Sequence, residues 1–148
     1  MLLTLLIATA SARDLHGTLG LGFDSHVGDG AALSARYWLP LGKGAPNVGV
    51  QAVLGLDTAG TDPDWATGGR ALYGFVEEDN MNLYAGLGAY ALGARRVLRV
   101  QPAVGAEFFL FGLEHLGISA QWALDVDVGE AGGVATRGAG AAAVHYYF

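Results

Sequence analysis

Arg36, Arg70, Arg99 and Glu107 are the residues best equipped to do chemistry, each set between small or apolar neighbours in a chain that is only 15% charged. With Gln51, Gln101, Gln121, Tyr84 and Tyr90 as neutral hydrogen-bonding neighbours, they suit either a gated ion or solute path or a paired structural network. The network is the expectation, because a buried charge needs a partner. Asp57, Asp125, Asp127 and Glu130 form a second group. Such hard oxygen ligands could bind Ca²⁺ or Mg²⁺, but no EF-hand spacing accompanies them. Asp24, Ser25 and His26 have the residue types of a hydrolase triad, yet consecutive residues do not line up as orienter, nucleophile and base. His16, His115 and His145 lie in no recognisable nucleophile motif. The glycines from Gly17 to Gly22 imitate a dinucleotide loop, but the alternation continues through them where a helix would have to start. These residues predict neither an enzyme nor a cofactor or metal requirement.

The elements that must carry these side chains have a period of two. Eight segments alternate in this way, at residues 15–23, 31–39, 48–57, 68–76, 81–91, 98–110, 116–128 and 138–148, separated by Gly, Asp, Pro and Asn clusters. One series in every segment is apolar and uncharged. Arg36, Asp57, Arg70, Arg99, Glu107, Asp125 and Asp127 all fall in the other series. A soluble sandwich or lipocalin-type barrel turns its charged face to water and needs many surface charges. Here the second series is too sparsely charged and too rich in Gly and Ala for that. It suits a crowded barrel lumen, with the uncharged series facing lipid, where an Arg or Lys at mid-depth costs about 2 to 4 kcal/mol. The expected fold is all-β, an eight-stranded antiparallel up-and-down transmembrane β-barrel. Pro102 conflicts locally with a closed barrel because it removes a ladder donor, so a bulge or a missing hydrogen bond is expected there.

Composition narrows the classes further. The 148 residues, 52% hydrophobic with 24 Gly, describe one domain and exclude a disordered tail. A net charge of −6 disfavours nucleic acid. The absence of Cys removes disulfides, thiolate nucleophiles and Cys-based metal sites. No window of 18 unbroken apolar residues exists, so no transmembrane helix is expected. Residues 1–12, an apolar stretch ending in Ala10-Ser11-Ala12, read as a signal peptide that leaves a barrel domain at 13–148.

The chain resembles the small eight-stranded bacterial outer-membrane barrels, the OmpA/OmpX-like class. Tyr146 and Phe148 match the C-terminal aromatic pattern of that class, and 106–120 looks like a strand-turn-strand near the end of many such barrels. The resemblance implies a Gram-negative outer-membrane location and a monomer. It also implies contact with outer-membrane lipids and lipopolysaccharide, and with the barrel-insertion machinery through Tyr146 and Phe148. Residues 40–46, 77–80 and 112–115 would then be periplasmic turns. Residues 24–30, 58–67 (the longest connector), 93–96 and 129–137 would be external loops, with Arg95 and Arg96 placed to touch lipopolysaccharide phosphates. Tyr37, Trp38, Phe75, Phe108, Phe111, Tyr146 and Phe148 would form one aromatic girdle, with Phe23 and Trp65 in the other. The expected role is structural or surface-interactive without a wide pore. Competing readings are a small-ligand binding or transport barrel, a lipid A-modifying enzyme and a soluble lipocalin-like barrel.

Overall fold

An unbroken alternation of polar and apolar residues lets a sheet hide its polar series by rolling until the first strand meets the last. The computed structural model does this. It describes residues 14–27, 31–42, 45–57, 64–93, 97–110, 112–129 and 134–148. The strands are β1 (Leu19–Asp24), β2 (Ala32–Trp38), β3 (Val48–Asp57), β4 (Asp64–Glu78), β5 (Met81–Leu92), β6 (Val97–Leu110), β7 (Leu113–Gly129) and β8 (Val134–Tyr147). Each pairs antiparallel with its sequence neighbour, and β1 pairs with β8 to close the barrel.

The ladder fixes the stagger. From Phe23, cross-strand partners run through Leu33, Leu54, Thr67, Ala91, Leu98 and Val128 to Val134. Directly across the closing seam Phe23 faces Val144, ten residues further along β8. A stagger of this size tilts strands by roughly 35–45° in a barrel of this strand number. It also carries β7 and β8 well beyond the end of β1 at the end of the barrel where the 25–31 connection lies. That end is the loop end; the opposite end, with the 79–80 turn and Phe148, is the turn end.

Side chains divide as the alternation requires. Large apolar residues such as Leu33, Leu54, Leu87 and Trp122 are exposed on the outer wall. Between the strand ends the outward series is uncharged. Arg36, Gln51, Arg70, Arg99, Gln101, Glu107 and Gln121 are buried inside. Two apolar clusters bracket this polar layer: Leu15, Trp38, Leu72, Tyr84, Phe109 and Tyr147 toward the turn end, and Val27, Ala32, Val53, Ala66, Tyr90 and Leu92 toward the loop end.

Several boundaries differ from the sequence expectation. Residues 15–18 form a turn instead of strand, with Thr18 N–H donating to the Leu15 carbonyl at 3.1 Å and Gly17 at φ 77°. That turn tucks Leu15 beneath the barrel, fully buried. Residues 64–67, 77–78, 113–115 and 134–137 belong to strands, not connectors. Ladder pairing with a neighbouring strand continues through 64–67, 77–78 and 134–137. The longest connection therefore joins Trp38 to Val48 at the turn end, not β3 to β4. Trp38 belongs to no outer girdle, because its place in the alternation points it inward, fully buried. At Pro102 the β6–β7 ladder passes from Val100↔Val126 to Ala103↔Ala123, skipping Gln101 and Pro102. Pro supplies no N–H for the ladder, and the pairing lapses where it sits. Residues 1–12, Arg95, Arg96, Phe111 and Glu130 lie outside the described residues.

Candidate functional site

Adjacent strands put their inward residues side by side, and in the lumen this assembles one hydrogen-bonded lattice. Arg36 Nη1 donates to Glu107 Oε1 at 2.9 Å, and Tyr147 Oη donates to the same oxygen at 2.8 Å. Arg36 Nη2 and Arg70 Nε both donate to Gln51 Oε1, at 3.1 and 2.9 Å. Gln51 Nε2 in turn donates to Asp24 Oδ2 at 2.9 Å and to Ser34 Oγ at 2.6 Å. Arg70 Nη2 lies 3.3 Å from Asp24 Oδ2. Both guanidinium groups also stand over the Tyr84 ring, 5.3 and 5.9 Å from its centroid, and Tyr84 Oη donates to Gln121 Oε1 at 3.1 Å.

The lattice continues to the loop end through His26. Its Nδ1 contacts the Asp24 carboxylate, and its Nε2 lies 2.8 Å from Tyr90 Oη. Burial holds the His26 imidazole below its ordinary pKa, against the pull of the Asp24 hydrogen bond, while the Arg70 charge works with burial. Gln101 Nε2 joins the His26 carbonyl to Asp125 Oδ1. Arg99 then holds Asp127 at 2.6 Å and Asp125 at 3.1 Å, and Arg137 reaches Asp125 at 3.1 Å.

Charge balances within this lattice, with Arg36, Arg70, Arg99 and Arg137 facing Asp24, Glu107, Asp125 and Asp127. Such pairing is what lets charges lie in a low-dielectric interior. All six residues expected in the network, Arg36, Arg70, Arg99, Glu107, Gln51 and Gln121, take part in it. Of the four carboxylates expected as a cation cluster, Glu130 and the side chain of Asp57 lie outside the described residues. Asp125 and Asp127 point at arginines, and among the described residues no group of three His, Cys, Asp or Glu is arranged around a metal ion.

The residues suggestive of a triad separate. Ser25 Oγ bonds the backbone of Ala142 and does not meet His26. A different pair, invisible in sequence because 111 positions part them, sets Ser34 Oγ 2.8 Å from His145 Nε2. His145 Nδ1 has no partner among the described residues, so no acid orients the ring, and both side chains are buried between the apolar clusters. His115 and His16 bond the Tyr147 carbonyl and Asp14 respectively. Tyr146 and Phe148 face outward at the turn end, their rings edge to face at 5.1 Å. No family model, curated protein or solved structure matches this chain, so its function is read from its own residues.

Proposed function

We propose that this chain is an integral outer-membrane β-barrel with a structural or surface-interaction role and no wide pore. One observation carries the reading: a closed barrel presents uncharged, largely apolar side chains outward on every strand while its arginines and carboxylates pair inside. Water-soluble monomers rarely expose contiguous apolar surface beyond a few hundred Å². In a bilayer the same surface is the favourable one, and the closed ladder leaves few backbone groups unpaired. Tyr37, Tyr73, Phe75, Phe108, Tyr146 and Phe148 lie exposed toward the turn end, and Phe23 and Trp65 toward the loop end, which suits two interfacial girdles.

The filled lumen supports the absence of a wide pore. Arg36, Glu107, Gln51 and Arg70 cross the interior between two apolar clusters, so a solute would have to break buried ion pairs to pass. In this reading the turn end is periplasmic, Tyr146 and Phe148 serve recognition by the insertion machinery, and the loop end faces lipopolysaccharide. The test is electrophoresis of detergent-extracted membranes from an expressing Gram-negative host, with and without boiling. A fast unboiled band that slows on boiling, found in the outer-membrane fraction, is the expected result. A detergent-free soluble protein without the shift would overturn the assignment.

A further inference from the structure

At the turn end, the inner wall gathers oxygen donors that the central lattice leaves unused. Asn82 on β5 has Glu77 of β4 as cross-strand partner on one side and Glu107 of β6 on the other. Cross-strand partners on one face bring their Cβ atoms to about 4.5–5.5 Å. Tyr73 and Phe75 are exposed on the outer wall, so strict alternation would turn Glu77 outward as well. The β4–β5 register slips between Gly74 and Val76, and this bulge re-aims Glu77. Its carboxylate accepts the backbone N–H of Asn47 at 2.9 Å. Asn47 is fixed a second time, its carbonyl accepting Gly74 N–H at 2.6 Å.

Four residues from four segments thus converge, and Asn47, Asn82 and Glu107 keep unsatisfied polar atoms there. Asn47 and Asn82 are 0% and 3% exposed. Neither the oxygen nor the nitrogen of either amide has a partner among the described residues. Glu107 Oε2 is buried without one too, while its Oε1 takes Arg36, Ser119 and Tyr147. A buried amide left this way loses its hydration without replacement, which a bound ligand would relieve. Glycine at 74 lets the two amides pack against that backbone: a Cβ there would lie 2.8 Å from Asn82 Oδ1 and 3.0 Å from Asn47 Cβ. On its outer side Glu77 borders an open hollow of about 370 Å³, lined also by Ala45, Pro46, Tyr73, Gly74 and Phe75.

We propose that Glu77, Asn82, Asn47 and Glu107 form a Ca²⁺ site at the turn end of the barrel. The donors are all oxygens, two carboxylates and two amide carbonyls, the set that hard cations take. Arg36 offsets Glu107, so Glu77 supplies the net negative charge. Ca²⁺ accepts mixed carboxylate and amide ligands at 2.3–2.6 Å in irregular geometry, whereas Mg²⁺ demands a near-ideal octahedron. The site stands independently of where in the cell the barrel resides.

The test is calorimetric titration of the full chain, refolded in detergent micelles and freed of metal by chelation, with CaCl₂ and separately with MgCl₂. One Ca²⁺ per chain is expected. Glu77→Gln should weaken it about tenfold or more, because ligand charge sets affinity in such sites. Glu114→Gln, which removes an exposed charge elsewhere at the same end, should leave it unchanged. Asn82→Asp adds a ligand charge and should tighten binding, which keeps the idea testable if Glu77→Gln does not fold. Absence of Ca²⁺ heat in the parent protein, equal binding by the Glu77 and Glu114 variants, or Mg²⁺ bound as tightly as Ca²⁺ would each overturn the assignment.

Discussion

Arg36 and Glu107 lie 71 positions apart in the chain, yet Nη1 and Oε1 meet at 2.9 Å with both side chains fully buried. Removing one partner strands a charge in the interior, which typically costs about 3–5 kcal/mol. Arg36→Met and Glu107→Leu should each lower the free energy of unfolding by urea in micelles by an amount of that order. The double variant, which buries no charge from the pair, should recover much of the loss. Additive losses would mean that Gln51 and Tyr147, not the pair, carry the stabilisation.

The outer wall makes an opposite demand. Leu87, central in β5, is 60% exposed on the apolar face. If that face meets lipid, Leu87→Arg should destabilise the barrel in bilayers by about 2–4 kcal/mol. In a water-facing barrel the same change would be close to neutral. Equilibrium unfolding from lipid vesicles separates the two cases.

Closure of the β1–β8 seam depends on close backbone approach. A Cβ at Gly22 would fall on the Val144 carbonyl oxygen, with His145 Cα 2.8 Å away, whereas one at Gly140 meets nothing within 4 Å. Gly22→Ala should therefore loosen the seam and increase the fraction of unshifted band in unboiled gels. Gly140→Ala should stay within about 0.5 kcal/mol of the parent.

Acid should act through His26. Its depressed pKa means that the folded state takes up a proton less readily than the unfolded chain, whose histidine titrates near 6.5. The stabilisation is complete above that value and is lost as pH falls below it. The unfolding midpoint should drop between pH 7.5 and 5, and the drop should shrink in His26→Gln. An identical drop in the variant would place the effect elsewhere.

Much of this architecture was legible in the residues. Alternation alone placed β3 at its observed bounds and assigned Arg36, Arg70, Arg99, Glu107, Asp125 and Asp127 to the interior, because burial in a barrel wall has a strict period of two, whereas Asp24 and Arg137 read as loop. Strand ends were less visible. Asp, Ala and Thr in 64–67 and Ala, Thr and Arg in 134–137 do not advertise a strand, but their neighbours pair with them through the stagger. Glu77 was hidden for a different reason. The bulge that turns it inward has no period to betray it, and next to the 79–80 turn the residue reads as loop. The Ser34–His145 contact is purely a product of closure, which no local pattern encodes.

The ten-residue stagger between Val134 and Val144 has a consequence for how the length of such a chain can change. Because neighbours alternate inside and outside, a closed ladder tolerates only an even offset. Inserting one residue in mid-strand would evert every side chain from that point to the next turn, carrying arginines to the outer wall. An odd residue has a place only where alternation is already interrupted, and the two register slips, at Gly74/Val76 and at Phe109/Leu110, both lie near the turn end. Single-residue gaps among descendants of this chain belong there and in the connections, and changes in pairs belong everywhere else.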